Sequence, residues 1–182
     1  MSDSSRFSPV LALDDPVEPA SLREVMSRFA TGVVVLSVGG EDVHGMTANA
    51  FSSVSLEPPL VLCCVAHSAV MHQAVTSAGH FAASLLGVEQ EPLARHFADK
   101  QRPLGPAQFE SVPARPGPRT GAPLLDGALG WLECELTESH RAGDHSIFVG
   151  TVLDARRGPG RDALLYFEGG YRPGVREARR TS

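Results

Sequence analysis

Between Asp42 and Glu57 the chain carries no residue of fixed charge, and this constrains its fold more than any other feature. The stretch Gly45-Met46-Thr47-Ala48-Asn49-Ala50-Phe51-Ser52-Ser53-Val54-Ser55-Leu56 mixes apolar side chains with short hydrogen-bonding ones. It stops at Glu57-Pro58-Pro59, and a second uncharged run follows, Leu60-Val61-Leu62-Cys63-Cys64-Val65-Ala66. In the first run the odd positions from 47 to 55 are Thr, Asn, Phe, Ser and Ser. The even positions from 46 to 56 are Met, Ala, Ala, Ser, Val and Leu. Side chains alternate faces along a strand, so the run reads as one strand with an apolar face and a face of small polar groups. Small side chains let a flat ligand approach the backbone, whose N–H and C=O groups can then read its edge. The competing reading is an ordinary amphipathic strand with Ser and Thr turned to water.

Composition sets the outer bounds. A chain of 182 residues, 42% of them hydrophobic, suits one globular domain, which at this size buries about 70% of its unfolded surface. A formal charge of −5 gives no reason to expect a nucleic-acid partner. Three cysteines cannot complete a disulfide framework, no Cys-x-x-Cys occurs, and Cys63 and Cys64 point to opposite faces of a strand. Reduced thiols in the cytosol follow. The apolar patch Val10-Leu11-Ala12-Leu13 is cut by Asp14-Asp15-Pro16, too early for a signal peptide. No apolar run reaches the roughly 20 residues that span a bilayer. The expectation is a cytoplasmic protein without membrane contact.

Three parts are expected: a flexible arm over 1–18, a domain over 19–174 and a flexible tail over 175–182. Ser21-Leu22-Arg23-Glu24 has the form of a capping box. Leu22, Val25, Met26 and Phe29 then follow at helical spacing, with Gly32 as the stop. The β-branched Val33-Val34-Val35 opens a strand that turns at Gly39-Gly40-Glu41-Asp42 into the uncharged one. Ser68 is placed to cap a short helix through Met71, Ala74 and Val75 that ends at Gly79, and residues 80–86 read as a strand. Pro92 suits the first turn of a helix carrying Leu93, Ala94 and Phe97. From Asp99 to Pro123 six prolines predict a long surface excursion. The last third alternates as strands, with turns at 138–144 and 158–162. Short strands with a few helices predict a mainly β protein, a barrel with helices at its flank.

Several signatures are missing. No Gly-x-Gly-x-x-Gly follows a strand, and there is no P-loop, no Gly-x-Ser-x-Gly and no His-x-His or His-Glu-x-x-His pair. The chemistry is expected to reside in an organic cofactor, with no metal.

Three segments together, Phe29-Ala30-Thr31-Gly32-Val33-Val34-Val35-Leu36, Gly45 through Ser55, and Pro58-Pro59-Leu60-Val61, resemble the flavin reductase-like family. Gly143-Asp144-His145-Ser146-Ile147-Phe148-Val149-Gly150 and Gly169-Gly170-Tyr171-Arg172 agree with it, and the likeness covers roughly residues 20 to 174. The resemblance implies a split β-barrel flavin-binding fold, usually a homodimer, and NAD(P)H-dependent reduction of a flavin, FMN favoured with FAD the alternative. It also implies release of reduced flavin to a separate monooxygenase component. Two other readings stay open: a flavoenzyme that keeps FMN bound, and a non-enzymatic flavin-binding protein.

The resemblance also implies site residues. Met46, Thr47, Ala48, Asn49, Ser52, Ser53, Val54 and Ser55 would cradle the isoalloxazine, which has an apolar face and an edge of donors and acceptors. The family's phosphate-gripping cluster is thinner here, leaving His67 and Ser68, so Ser53, Ser55, Lys100 and Arg102 are added. His145 would orient the nicotinamide; Asp144 and His145 are consecutive, so their side chains are expected to diverge. Tyr171 would stack on the dinucleotide and Arg172 meet its phosphates, against the alternative that the aromatic packs on the barrel.

Overall fold

The computed structural model describes residues 17–41 and 43–174. All of the expected arm but its last two residues, and the expected tail, lie outside them. Strands are β1 (Thr31–Gly32), β2 (Val34–Val38), β3 (His44–Ala48), β4 (Phe51–Leu56), β5 (Pro59–Ala66), β6 (His80–Leu85), β7 (Ala114–Pro116), β8 (Pro123–Leu125), β9 (Gly130–Ala142), β10 (His145–Arg157), β11 (Leu164–Phe167) and β12 (Gly170–Pro173). Helices α1 (Pro19–Ser27), α2 (Val70–Ala78) and α3 (Glu91–Ala98) flank them. The protein is mainly β, as expected.

Seven antiparallel strands form the main sheet in the order β3-β2-β6-β9-β10-β5-β4. β3 and β4 stand at opposite ends of that order, yet only Asn49 and Ala50 join them. Three residue steps reach at most about 11 Å, so the sheet must curl until its two edges almost meet. The edges share no ladder, and the ring stays open at this seam.

The single strand expected through residues 47–55 is therefore two strands with a corner. Before it, Met46 and Ala48 pack against the core; after it, Phe51 does. The inward-facing parity shifts by one residue. A bulge at Val54, between the pairs Ser53↔Val61 and Ser55↔Leu60, disturbs the alternation again. Val54 and Leu56 are left 49% and 93% exposed, the reverse of an apolar face turned inward.

The curled sheet encloses Leu36, Val38, Val61, Cys63, Val65, Phe81 and Phe148, and α2 closes one end with Met71, Ala74 and Val75. On the other face of β2, Val35, with Val33 just before the strand, meets Ala94 and Phe97 of α3 and Leu164 of β11. β11 also holds β1 and β12 in a separate three-stranded sheet. Gly45 has no room for a side chain: a Cβ there would lie 2.5 Å from the Phe97 ring.

α1 differs from expectation. It starts at Pro19, with Glu18 as N-cap and no side-chain cap bond, because proline's fixed φ suits the first helical turn. Ser21 lies inside the helix, so the capping box does not form, and Gly32 belongs to β1. No α1 residue is buried. Ala69, not Ser68, is the N-cap of α2, again without a side-chain cap bond, while Gly79 ends that helix in the left-handed region as expected.

The proline-rich segment is packed more firmly than a surface excursion. Gln108, fully buried, accepts from the Gly45 amide at 2.9 Å and donates to Gly105 O at 2.9 Å. Glu133 Oε2, buried on β9, accepts from the Arg119 and Thr120 amides at 2.9 and 2.7 Å and from the Thr120 hydroxyl at 2.8 Å. The expected alternation of β9 thus has both faces covered at Trp131, Glu133 and Cys134.

Candidate functional site

β5 alternates strictly: Val61, Cys63 and Val65 point into the core, while Leu62, Cys64 and Ala66 are half-buried on the outer face. With Phe51 and Ser52, Leu62 and Cys64 floor a cleft of about 1160 Å³. α1 forms one wall through Arg23, Met26 and Ser27, and Tyr166, Glu168 and Gly169 line another. Arg28 Nη1 pairs with Glu168 Oε1 at 2.5 Å, and the Glu168 amide donates to Ser27 O at 2.8 Å, tying α1 to the β11–β12 turn.

The seam supplies the polar side. Asn49 Nδ2 donates to Thr31 Oγ1 at 3.2 Å. One amide hydrogen and the carbonyl oxygen of Asn49 stay available, because a carboxamide has two donors and one acceptor atom. An apolar floor beside a few converging polar groups suits a planar ligand with an edge of donors and acceptors.

Of the residues singled out from the sequence, Asn49 and Ser52 line this cleft. Met46 and Ala48 pack against the core. Thr47 Oγ1 donates to Ala94 O of α3 at 2.7 Å. Ser53 and Val54 are exposed on β4 beyond the lining, and Ser55 Oγ accepts from the Glu57 amide at 3.2 Å. Lys100 is exposed and does not line the cleft.

Arg102 is wedged, not free: it donates to Asp99 O, to Gly45 O and, at 3.2 Å, to His44 Nε2. A guanidinium only donates, so His44 Nε2 accepts from Arg102. Burial first, and the Arg102 charge second, push the His44 pKa down to about 4. Tyr171 packs under the Arg95 guanidinium at 5.1 Å and its hydroxyl reaches Ala94 O at 3.4 Å. Arg172 is exposed and donates to Tyr171 O at 2.9 Å.

At the β9–β10 turn one expectation is overturned. Asp144 precedes the strand, so strand alternation does not separate it from His145; Asp144 Oδ1 and His145 Nδ1 lie 2.7 Å apart. That hydrogen bond, with the His145 charge, holds the Asp144 carboxyl below its ordinary pKa. Nearby, His67 Nε2 and His72 Nε2 both meet the buried Ser146 Oγ, at 3.1 and 2.9 Å. Ser68 is exposed beside them.

Sequence reasoning missed Thr31, Leu62, Cys64, Tyr166 and the α1 wall. Cys64 was within reach, since adjacent cysteines on a strand put one side chain outside. The wall was not, because it depends on where a helix without buried residues comes to rest.

A family model described as flavin reductase like domain matches residues 26–174. An NADH-dependent FAD reductase of Streptomyces globisporus is 48% identical over 170 residues, covering 91% of this chain and 93% of that protein. The reductase component of 4-hydroxyphenylacetate 3-monooxygenase from Thermus thermophilus is 38% identical, covering 84% and 94%. Among solved structures, BorF, the flavin reductase component of a bacterial two-component tryptophan halogenase, superposes with a TM-score of 0.84 at 48% identity, covering 88% of this chain and all of that one.

Proposed function

The chain belongs to the flavin reductase like domain family, and from that premise we propose that it oxidises NADH and reduces a flavin, which leaves for a separate monooxygenase. The observation that carries the reading is the cleft: apolar floor at Leu62 and Cys64, polar seam at Asn49 and Thr31. The sequence favoured FMN. Similarity to an FAD reductase supports FAD instead. NADH is preferred to NADPH on the same relative's name.

The chemistry belongs to the two bound rings, a hydride passing from nicotinamide C4 to flavin N5. The protein's part is to hold them stacked with the reacting atoms ~3–3.5 Å apart. Asn49 presents its free amide edge to the flavin, and Ser52 and the corner backbone flank it. Asp144 Oδ1 accepts from His145 Nδ1, which leaves Nε2 to face the nicotinamide carboxamide. No general base is required. The curled, open sheet is read as a split barrel, and the working unit as a homodimer.

Aerobic oxidation of NADH, measured with FAD, FMN and riboflavin in turn, tests this. Acceleration by added flavin, greatest with FAD, is expected. A purified chain that leaves NADH unoxidised with all three is not a flavin reductase. Flavin that binds without turnover points to storage, and flavin retained through reduction points to a dedicated flavoenzyme.

A further inference from the structure

Away from the cleft, two buried polar atoms on the outer face of the main sheet lack a protein partner. Among the described residues, three buried side-chain atoms make no hydrogen bond: His80 Nε2, Arg102 Nε and Glu133 Oε1. The first and last of these stand on adjacent strands. β6 and β9 pair without a bulge, His80 opposite Glu135, Ala82 opposite Glu133 and Ser84 opposite Trp131. Directly opposed side chains share a face, as do alternate residues along one strand. His80 and Glu133 are therefore diagonal neighbours on one face, with Cα atoms roughly 7–8 Å apart, within reach of long side chains.

The 114–128 segment closes over that face. Its Ala122, Leu124 and Ala128 pack with Ala82 and Trp131, and its backbone passes so near that a Cβ on Gly117 would lie 2.3 Å from Glu133 Oε2. Glu133 is 1% exposed, and the three donors from Arg119 and Thr120 all go to Oε2. Among the described ion pairs none includes Glu133, so its carboxylate has no counter-charge there. His80 Nδ1 lies 2.9 Å from Ala78 O. A carbonyl only accepts, so Nδ1 carries the hydrogen, and in the neutral ring Nε2 is a bare acceptor. Glu135, opposite His80, is exposed and brings no donor as a carboxylate. Two acceptors under one cover cannot satisfy each other. Between them they call for a donor with at least two hydrogens.

We propose that His80 Nε2 and Glu133 Oε1 form an internal binding site for one small hydrogen-bond donor, a water molecule or an ammonium ion. The bound donor bridges β6 to β9 beneath the 114–128 segment. Left unpaired, each atom carries the desolvation cost of a buried polar group, and one bridging donor removes both costs. Water satisfies the lone pairs; ammonium also supplies the positive charge that Glu133 lacks. Glu133 then acts as a pin with two ends, Oε2 holding the segment and Oε1 holding β6 through the bridge.

High-resolution crystal structures of the wild-type chain, grown with and without ammonium salts, test the site. One density peak within hydrogen-bond distance of both His80 Nε2 and Glu133 Oε1 is expected. Direct contact of Nε2 with Glu133 or Glu135, or no shared peak under either condition, overturns the proposal. Urea unfolding in ammonium chloride and in sodium chloride at equal ionic strength separates the two donors. Stability that rises with ammonium concentration assigns the ion, and equal stability in both salts assigns water. In solution, long-range nitrogen-15 correlation at about pH 8, above the ordinary imidazole range, reads the His80 ring. A hydrogen on Nδ1 alone is expected. A ring protonated on both nitrogens would be its own donor and would also overturn the site. His80→Phe should remove the shared peak while the Thr120 bonds to Glu133 persist. A peak that stays in place in that variant would take His80 out of the site.

Discussion

His44 has the plainest pH consequence of any single residue. It is 4% exposed, its Nε2 faces Arg102 at 3.2 Å, and its pKa falls to about 4 from an ordinary 6.5. Between those values the unfolded chain binds a proton that the native chain refuses, so stability is lost as pH falls from 6.5 towards 4. A shift of that size corresponds to on the order of 3 kcal/mol. Urea unfolding at pH 7 and pH 4.5 should show His44→Asn less stable than wild type at pH 7 but losing less on acidification. Equal losses would assign the acid sensitivity to carboxylates elsewhere. The proposed flavin contact at Asn49 gives a second test. Asn49→Leu should weaken flavin binding at least tenfold, by removing one edge contact and crowding the seam, and unchanged affinity in a folded variant would take Asn49 out of the site. For His145, replacement by Ala should raise the KM for NADH and lower kcat/KM by roughly ten- to a hundredfold, with little change in flavin affinity. A fall in kcat that saturating NADH cannot rescue would instead make His145 a proton donor.

At the scale of elements, the decisive feature is the corner at Asn49-Ala50, which sends β3 to pair with β2 and β4 to pair with β5. Most strands could be read from alternation, and the ends of α2 and α3 from Gly79 and Pro92. The corner could not, because Thr47 to Ser55 satisfies a period of two locally while long-range pairing decides where the strand breaks. The same limit applies to the phosphate candidate at Arg102: which way its side chain turns depends on His44 and Gly45 across the fold as well as on nearby Asp99. Asn49, which lines the cleft, stood out because a carboxamide in an uncharged run announces itself by type. Gly45 tests the packing behind the corner. A Cβ would meet Phe97 at 2.5 Å and Phe109 at 2.9 Å, and aromatic rings in that cluster have little room to retreat. Gly45→Ala should therefore destabilise by about 1–3 kcal/mol, read as a lower urea midpoint with an unchanged slope. A variant as stable as wild type would mean that α3 can move away from β3.

At the scale of the whole molecule, a curled sheet with an open seam leaves an edge strand and a helix uncovered on the same side. Among the described residues nine large apolar side chains are exposed, and five of them, Leu22, Val25, Met26, Val54 and Leu56, lie on α1 and β4, with Phe29 just after α1. Both elements border the cleft. Scattered apolar residues need no explanation, but a concentration on adjoining elements marks an association surface. An unpaired edge such as β4 is covered in many proteins by a second chain. A two-fold pair is the simplest closed way to bury such a surface, since each copy presents the same patch to the other. The covering copy would also wall the cleft, where α1 is held by the Arg28–Glu168 pair and one backbone bond but buries nothing itself. Sedimentation equilibrium at micromolar concentration should give twice the chain mass. Val25→Glu, at a position 69% exposed, should lower that mass towards one chain while leaving the fold intact by circular dichroism, and flavin affinity should fall with it because the cleft loses its outer wall. A wild-type protein that sediments as a single chain and still reduces flavin would show that the α1 and β4 surface serves some contact other than this one.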